Sequence, residues 1–176
     1  MSNKSEVKRF EELFGLHMNA AYNLAHWLTG NESAANDVVQ ESALKAFRFL
    51  DRFAGGNARA WLLTIVRNES YTWLKLASGS RWLAIGDEIS EDNPDFSHNE
   101  TPEANVIRSQ DKALLQQALE ALPPAFKEVI ILKELEDLSY KEIALVADMP
   151  LGTVMSRLAR ARAMLKTELV KLYKYD

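Results

Sequence analysis

The sequence predicts an all-α protein of two small helical domains, residues 1–77 and 104–176, joined by a flexible acidic linker over 78–103. Three observations carry that expectation. Apolar residues recur at three- and four-residue spacing through both flanks, the period of a helix with one buried face. Gly30, the Gly55-Gly56 pair and Pro123-Pro124 punctuate those runs where helices end. Residues 78–103 (SGSRWLAIGDEISEDNPDFSHNETPE) lose the period and gain Gly, Ser, Asp, Asn and Pro, the composition of a tether. At 176 residues and 47% hydrophobic content, the chain can bury a core without covalent staples. The lack of cysteine excludes disulfides and cysteine-based zinc sites. The three histidines are scattered and form no ligand pair, so neither a metal nor a cofactor is expected.

In chain order, Phe10, Leu13, Phe14, His17, Ala21, Leu24 and Leu28 place one helix from about Glu6 to Leu28, closed by Gly30. His17 lies on its apolar face and reads as a core histidine. A second helix, about Ser33 to Asp51, buries Val39, Ala43, Ala46 and Leu50. Its opposite face carries Asp37, Gln40, Glu41 and Arg48 around Leu44. A lone exposed leucine is common, yet an apolar centre with a polar rim is also how a docking surface looks.

Phe53, Ala54, Gly55, Gly56 and Asn57 form a loop, with Asn57 as N-cap of a third helix running to about Leu76. That helix interleaves Trp61, Tyr71 and Trp73 with Arg67, Asn68 and Lys75. Rings beside cations suit unstacked bases, and Trp61 also suits a core. Beyond the linker, helices are expected from about Pro102 to Ala121 and from Ala125 to Leu135, broken by the two prolines.

The stretch from Ser139 to Leu165 (SYKEIALVADMPLGTVMSRLARARAML) reads as a helix-turn-helix. Ser139 and Glu142 have capping-box spacing, Pro150 opens a new helix, and Val154, Leu158, Ala161 and Leu165 form its seam. Thr153, Ser156 and Arg160 point away from that seam at about 100° per residue, with Arg157 at the margin. Hydroxyls and guanidinium forks so placed can donate to base edges and phosphates. Glycine is frequent in such turns at the position held here by Asp148.

A net charge of −4 argues against a nucleic-acid partner until its distribution is resolved. Residues 82–104 hold seven acids and no lysine or arginine, while 1–81 carry +2 and 105–176 carry +1. Within 150–176 six basic residues face two acids. The ends can meet DNA and the middle cannot. The first residues (MSNKSEVKRFEE) lack a signal peptide's apolar run, and no stretch approaches the roughly 18 apolar residues of a membrane span. A cytoplasmic location is expected.

Four blocks in this order resemble a bacterial extracytoplasmic-function (ECF) sigma factor of the sigma-70 family. They are DVVQESALKAF (37–47), RAWLLTIVRNESYTWLK (59–75), ALEALPPAFKEVIILKELEDLSYKEIA (118–144) and PLGTVMSRLARARAML (150–165). The resemblance implies that Asp37, Gln40, Glu41 and Leu44 dock on core RNA polymerase, and that the Phe53–Asn57 loop receives a base flipped from the minus-10 element. Asn68 and Tyr71 would contact the same element. Thr153, Ser156, Arg157 and Arg160 would read the minus-35 element, with Arg162 on a phosphate. The family also implies a role in promoter recognition rather than catalysis, an anti-sigma partner, and a monomer in the holoenzyme. Rival readings are a helix-turn-helix regulator that binds duplex DNA unaided, usually as a dimer, and a helical adaptor that binds only protein.

Overall fold

The computed structural model describes residues 2–78 and 109–174, and all regular structure among them is helical. The predicted linker, apart from Ser78, lies outside the described residues, as does 102–108 of the helix expected from Pro102. The first group comprises α1 (Ser2–Phe14), α2 (Met18–Thr29), α3 (Glu32–Arg48) and α4 (Ala58–Ser78). The second comprises α5 (Ser109–Glu120), α6 (Pro124–Ile130), α7 (Tyr140–Val146) and α8 (Leu151–Lys174).

The single helix expected over 6–28 is instead two, separated by a 3-10 turn at Gly15–His17. Glycine is the weakest helix former after proline, and the tighter turn resets the phase of the apolar face. Phe14 is thereby buried at the end of α1, while Ala21, Leu24, Ala25 and Leu28 are buried along α2. His17 is only half-buried; its burial and the nearby Arg59 charge hold its pKa below the ordinary imidazole value. Gly30 closes α2 at φ +68°, in the left-handed region. Asn31 caps α3 by accepting from the Ala34 N–H at 2.9 Å.

The seam of α3 also differs from the expected one. Val38 and Ser42 are buried where Val39 and Ala43 were expected, and the latter pair sits half-exposed, while Ala46 and Leu50 are buried as expected. The first half of α3 is thus turned by one residue as it packs between α2 and α4, where Ser42 is small enough to permit close approach. Helix α4 starts as anticipated, with the Ala60 N–H donating to Asn57 Oδ1 at 2.9 Å. It buries Leu62, Leu63 and Val66.

In the second group Pro124 sits in the first turn of α6, after which Ile131–Leu135 continue as one π-helical turn. The wider turn carries Ile131 and Leu132 inward, and two residues beyond its end Asp137 adopts φ +51°. Helix α8 packs on α5, α6 and α7 through fully buried Val154, Leu158 and Ala161, while Leu165 is half-buried.

The two groups are packed on each other. Helices α2 and α4 receive α6, the π turn and α7, and the buried side chains of both groups form one continuous cluster. At the centre of this face, Arg67 donates from Nε to Glu128 Oε2 at 2.9 Å and from Nη2 to Oε1 at 3.3 Å. Glu128 is fully buried, and the Arg67 guanidinium stacks 4.3 Å from the Tyr71 ring centre. Around them Arg59 Nη1 donates to the Glu136 carbonyl at 3.1 Å and Asn57 Nδ2 donates to Glu142 at 2.5 Å.

Candidate nucleic-acid interface

Local chemistry builds the helix-turn-helix. Ser139 accepts from the Glu142 N–H at 3.2 Å, and Glu142 accepts from the Ser139 N–H at 2.7 Å, a reciprocal capping box. Those bonds hold the Glu142 carboxyl below its ordinary pKa. Asp148 adopts φ +50°, so the turn forms without glycine; aspartate is among the few residues that enter the left-handed region readily. The Val154 N–H then bonds the Pro150 carbonyl at 3.1 Å, which starts α8 after the proline.

Helix α8 presents the expected face. Ser156 is exposed, Thr153, Arg157 and Arg160 are half-exposed, and Met155 stands among them, 41% exposed. Arg162 pairs with Glu134 at 2.6 Å on the surface, and Arg157 lies near enough to buried Glu128 for its charge to lower that carboxyl's pKa slightly. An exposed pair such as Arg162–Glu134 is worth little, so a phosphate can replace the carboxylate at small cost.

The Phe53–Asn57 loop leaves α3 through a short 3-10 turn, Leu50–Arg52. Gly55 and Gly56 have φ of +94° and +93°, and a Cβ on either would meet nothing within 4 Å. Backbone conformation, rather than lack of space, therefore demands glycine there. Ala54, Gly55, Gly56 and Asn57 are exposed, whereas Phe53 is buried against Phe14 and Trp61, with centroids at 5.8 and 5.3 Å. Phe53 thus anchors the loop as well as lining it. An open cleft of about 430 Å³ lies between Phe53, Ala54 and Gly55 on one wall and Arg9, Glu12 and Leu13 of α1 on the other.

On α4, Asn68 is exposed, but Tyr71 turns toward the second group. Its hydroxyl is sealed from solvent and its pKa is pushed far up, first by burial and then by the Glu128 charge. The structure therefore brings Asn57 and Tyr71 to the interdomain face, while Asn68 and the glycines remain open. Asp37, Gln40, Glu41 and Leu44 lie together on the outer face of α3, all exposed, Leu44 by 60%. No candidate metal cluster of three or more His, Asp or Glu occurs among the described residues, and none of their helices is long and apolar enough to cross a membrane.

Sequence reasoning missed Arg59, Glu128 and Glu136 and the α1 wall of the cleft, and it read Arg67 as a cation beside bases where the structure pairs it with Glu128. One signal was present: Glu128 interrupts the apolar run AFKEVIIL at a position whose helical neighbours Ile131 and Leu132 are buried. An acid in that phase needs a cation from elsewhere.

Residues 13–78 match the family model for sigma-70 region 2, and residues 112–165 match that for sigma-70 region 4. The chain is 33% identical to the ECF RNA polymerase sigma-E factor of Haemophilus influenzae, across 96% of this chain and 92% of that protein. It is 31% identical to the ECF RNA polymerase sigma factor SigE of Mycolicibacterium smegmatis, across 96% of this chain but 65% of that protein. The fold is similar to the sigma factor RpoE of Bartonella quintana, solved in complex with the anti-sigma factor NepR. That likeness has a TM-score of 0.68 at 30% identity and covers 93% of this chain and 98% of the other. CnrH, solved with the cytosolic domain of CnrY, shares the fold at a TM-score of 0.67 and 24% identity, over 93% of this chain and 89% of the other. With both sigma regions in order and relatives aligned along nearly its whole length, the chain belongs to the extracytoplasmic-function sigma factors of the sigma-70 family.

Proposed function

We propose that this protein is a promoter-specificity factor that binds core RNA polymerase and directs initiation by reading minus-10 and minus-35 elements. The polymerase supplies the chemistry, and the chain is not itself an enzyme. Its domains run over 1–77 and 104–176, as the period and composition of the sequence divide them. The α3 face of Asp37, Gln40, Glu41 and Leu44 docks on the polymerase. The Phe53–Asn57 loop, Asn68 and Tyr71 engage the minus-10 strand, and Thr153, Ser156, Arg157, Arg160 and Arg162 the minus-35 duplex. It works in the cytoplasm, as one copy per holoenzyme, under an anti-sigma factor. A fold relative crystallised with such a factor supports that partner.

The observation that carries this reading is the α3 face. Leu44, 60% exposed, stands with Asp37, Gln40 and Glu41 on one side of α3 that no neighbouring helix covers among the described residues. A regulator that bound duplex DNA unaided could use such a face to dimerise, but its promoter binding would gain nothing from core polymerase. Transcription in vitro from a candidate promoter, with core polymerase alone and with this chain, tests the reading. Specific initiation is expected only with the chain, and Leu44→Asp is expected to abolish both initiation and co-purification with core. Unchanged initiation by Leu44→Asp, or specific DNA binding that gains nothing from core, overturns it.

A further inference from the structure

The cleft at the minus-10 loop has two walls, and only one belongs to the loop. Phe53 and Leu13 are its apolar surfaces, suited to a base's π-face. Its volume of about 430 Å³ lies in the range of about 300–1,000 Å³ that accepts small ligands. The loop itself is poor in groups able to tell one base from another. Ala54, Gly55 and Gly56 carry no polar side chain. Asn57 holds its Oδ1 on the Ala60 N–H at 2.9 Å as the cap of α4, so the loop's one polar side chain has only its Nδ2 donor to offer. The polar side chains that line the cleft are Arg9 and Glu12, both from α1.

Both are available. Arg9 lies 3.8 Å from Asp51 and Glu12 lies 3.8 Å from Lys8, loose pairs between exposed side chains that a ligand can displace at little cost. Their backbone is nonetheless fixed. Phe10 and Phe14 lock α1 to the first group, Phe10 against Phe47 at 5.9 Å and Phe14 against Trp61 at 5.2 Å. Arg9, Glu12 and Leu13 stand three and four residues apart, so they share one face of the helix.

We propose that α1 completes the base pocket, with Arg9 and Glu12 reading the edge of the unpaired nucleobase held by the Phe53–Asn57 loop. The proposal rests on that loop being the pocket for an extruded base. A carboxylate only accepts and a guanidinium only donates. Together they fit a base with an amino group beside an acceptor. Cytosine and adenine meet this with the amine on Glu12 and the neighbouring acceptor on Arg9; guanine meets it turned over. Thymine donates only from N3–H, which is flanked by two carbonyls, so a carboxylate that accepts from it is set against one of those carbonyl oxygens. The pocket therefore selects against thymine.

The test uses holoenzyme reconstituted with core polymerase and non-template minus-10 oligonucleotides carrying each of the four bases at each position. At one position thymine is expected to bind weakest, by about tenfold. Glu12→Gln, whose amide can also donate to a carbonyl, is expected to remove that penalty at that position alone. Arg9→Met is expected to weaken cytosine and adenine there while leaving other positions unchanged. Gly55→Ala, which strains the loop backbone, serves as the reference for the pocket itself. If Glu12→Gln and Arg9→Met leave every base profile unaltered while Gly55→Ala changes one, the role of α1 is refuted and the pocket reading stands. If none of the three alters any position, both are refuted.

Discussion

Replacing Arg67 with methionine tests what holds the two helical groups together. Methionine keeps the aliphatic part of the side chain but removes the guanidinium, and with it the stack on Tyr71 and both hydrogen bonds to Glu128, which is left fully buried without its partner. Removing one member of a buried pair costs about 3–5 kcal/mol. The Arg67 side chain is itself 20% exposed and Arg157 remains nearby, so the lower end applies. About 3 kcal/mol corresponds to a shift of roughly 150-fold in an equilibrium. Glu128 can escape that cost without unfolding, because it sits between the two groups and separation returns it to water. The absence of cysteine makes the measurement direct: cysteines placed at exposed Glu11 and Lys166 accept a donor–acceptor dye pair uniquely. Arg67→Met is expected to lower energy transfer with little change in helix content. Protonation offers the second escape. Burial already pushes the Glu128 pKa up and Arg67 opposes it, so losing Arg67 raises it further. A carboxyl whose pKa is raised in the closed form stabilises that form as pH falls. Acidification should therefore restore transfer in the variant. Unaltered transfer at neutral pH refutes the pin, and cooperative loss of helix in place of opening refutes the escape by separation.

Two further outcomes follow from single side chains. Arg160→Ala is expected to cost about 1–3 kcal/mol in holoenzyme affinity at the cognate minus-35 element if the contact is bidentate to a base, read as a titration against point-substituted promoters; an equal loss on every sequence assigns it to a phosphate. Glu142→Gln weakens the capping box and the contact to Asn57. Because the Glu142 pKa is depressed in the folded protein, its contribution is present above the ordinary carboxylate pKa and disappears as pH falls through the depressed value. Thermal unfolding of the variant should show a flatter acid limb than the parent, and identical limbs would contradict the assignment.

What could be read from sequence was whatever depends on local chemistry. The Ser139–Glu142 box, the Asn57 cap, the Gly30 stop and the Val154, Leu158 and Ala161 seam of α8 each link residues no more than four positions apart, and each forms as expected. The failures have two causes. The rotation of the first turns of α3 to bury Val38 and Ser42 is set by packing against α2 and α4, whereas the break at Gly15 and the π turn after Ile130 interrupt apolar runs whose period continues across them. Periodicity cannot resolve a rotation of one residue when small side chains flank the seam on both sides. The pair Arg67–Glu128 spans 61 positions, so neither residue alone announces the other. The cleft suffers the same limit: its loop wall was legible, whereas Arg9 and Glu12 reach it only through the packing of α1.

Those distant contacts also order the events of promoter engagement under the proposed function. In the closed arrangement Asn57 is bonded to Glu142 and the Tyr71 hydroxyl is buried beside Glu128, so minus-10 DNA competes with the second group for both. The cost of separating the groups then adds to the few kcal/mol needed to extrude a base. DNA alone is a poor source of that free energy, since α8 presents Met155 at the centre of its reading face and its arginines are partly engaged. The α3 face, by contrast, stays exposed in the closed form. Core polymerase can therefore bind first, and docking there offsets the opening that DNA could not drive. A buried ion pair is well suited to such an interface. Arg67 and Glu128 recover hydration when the groups part, which offsets the lost attraction and keeps the closed form specific without making it irreversible.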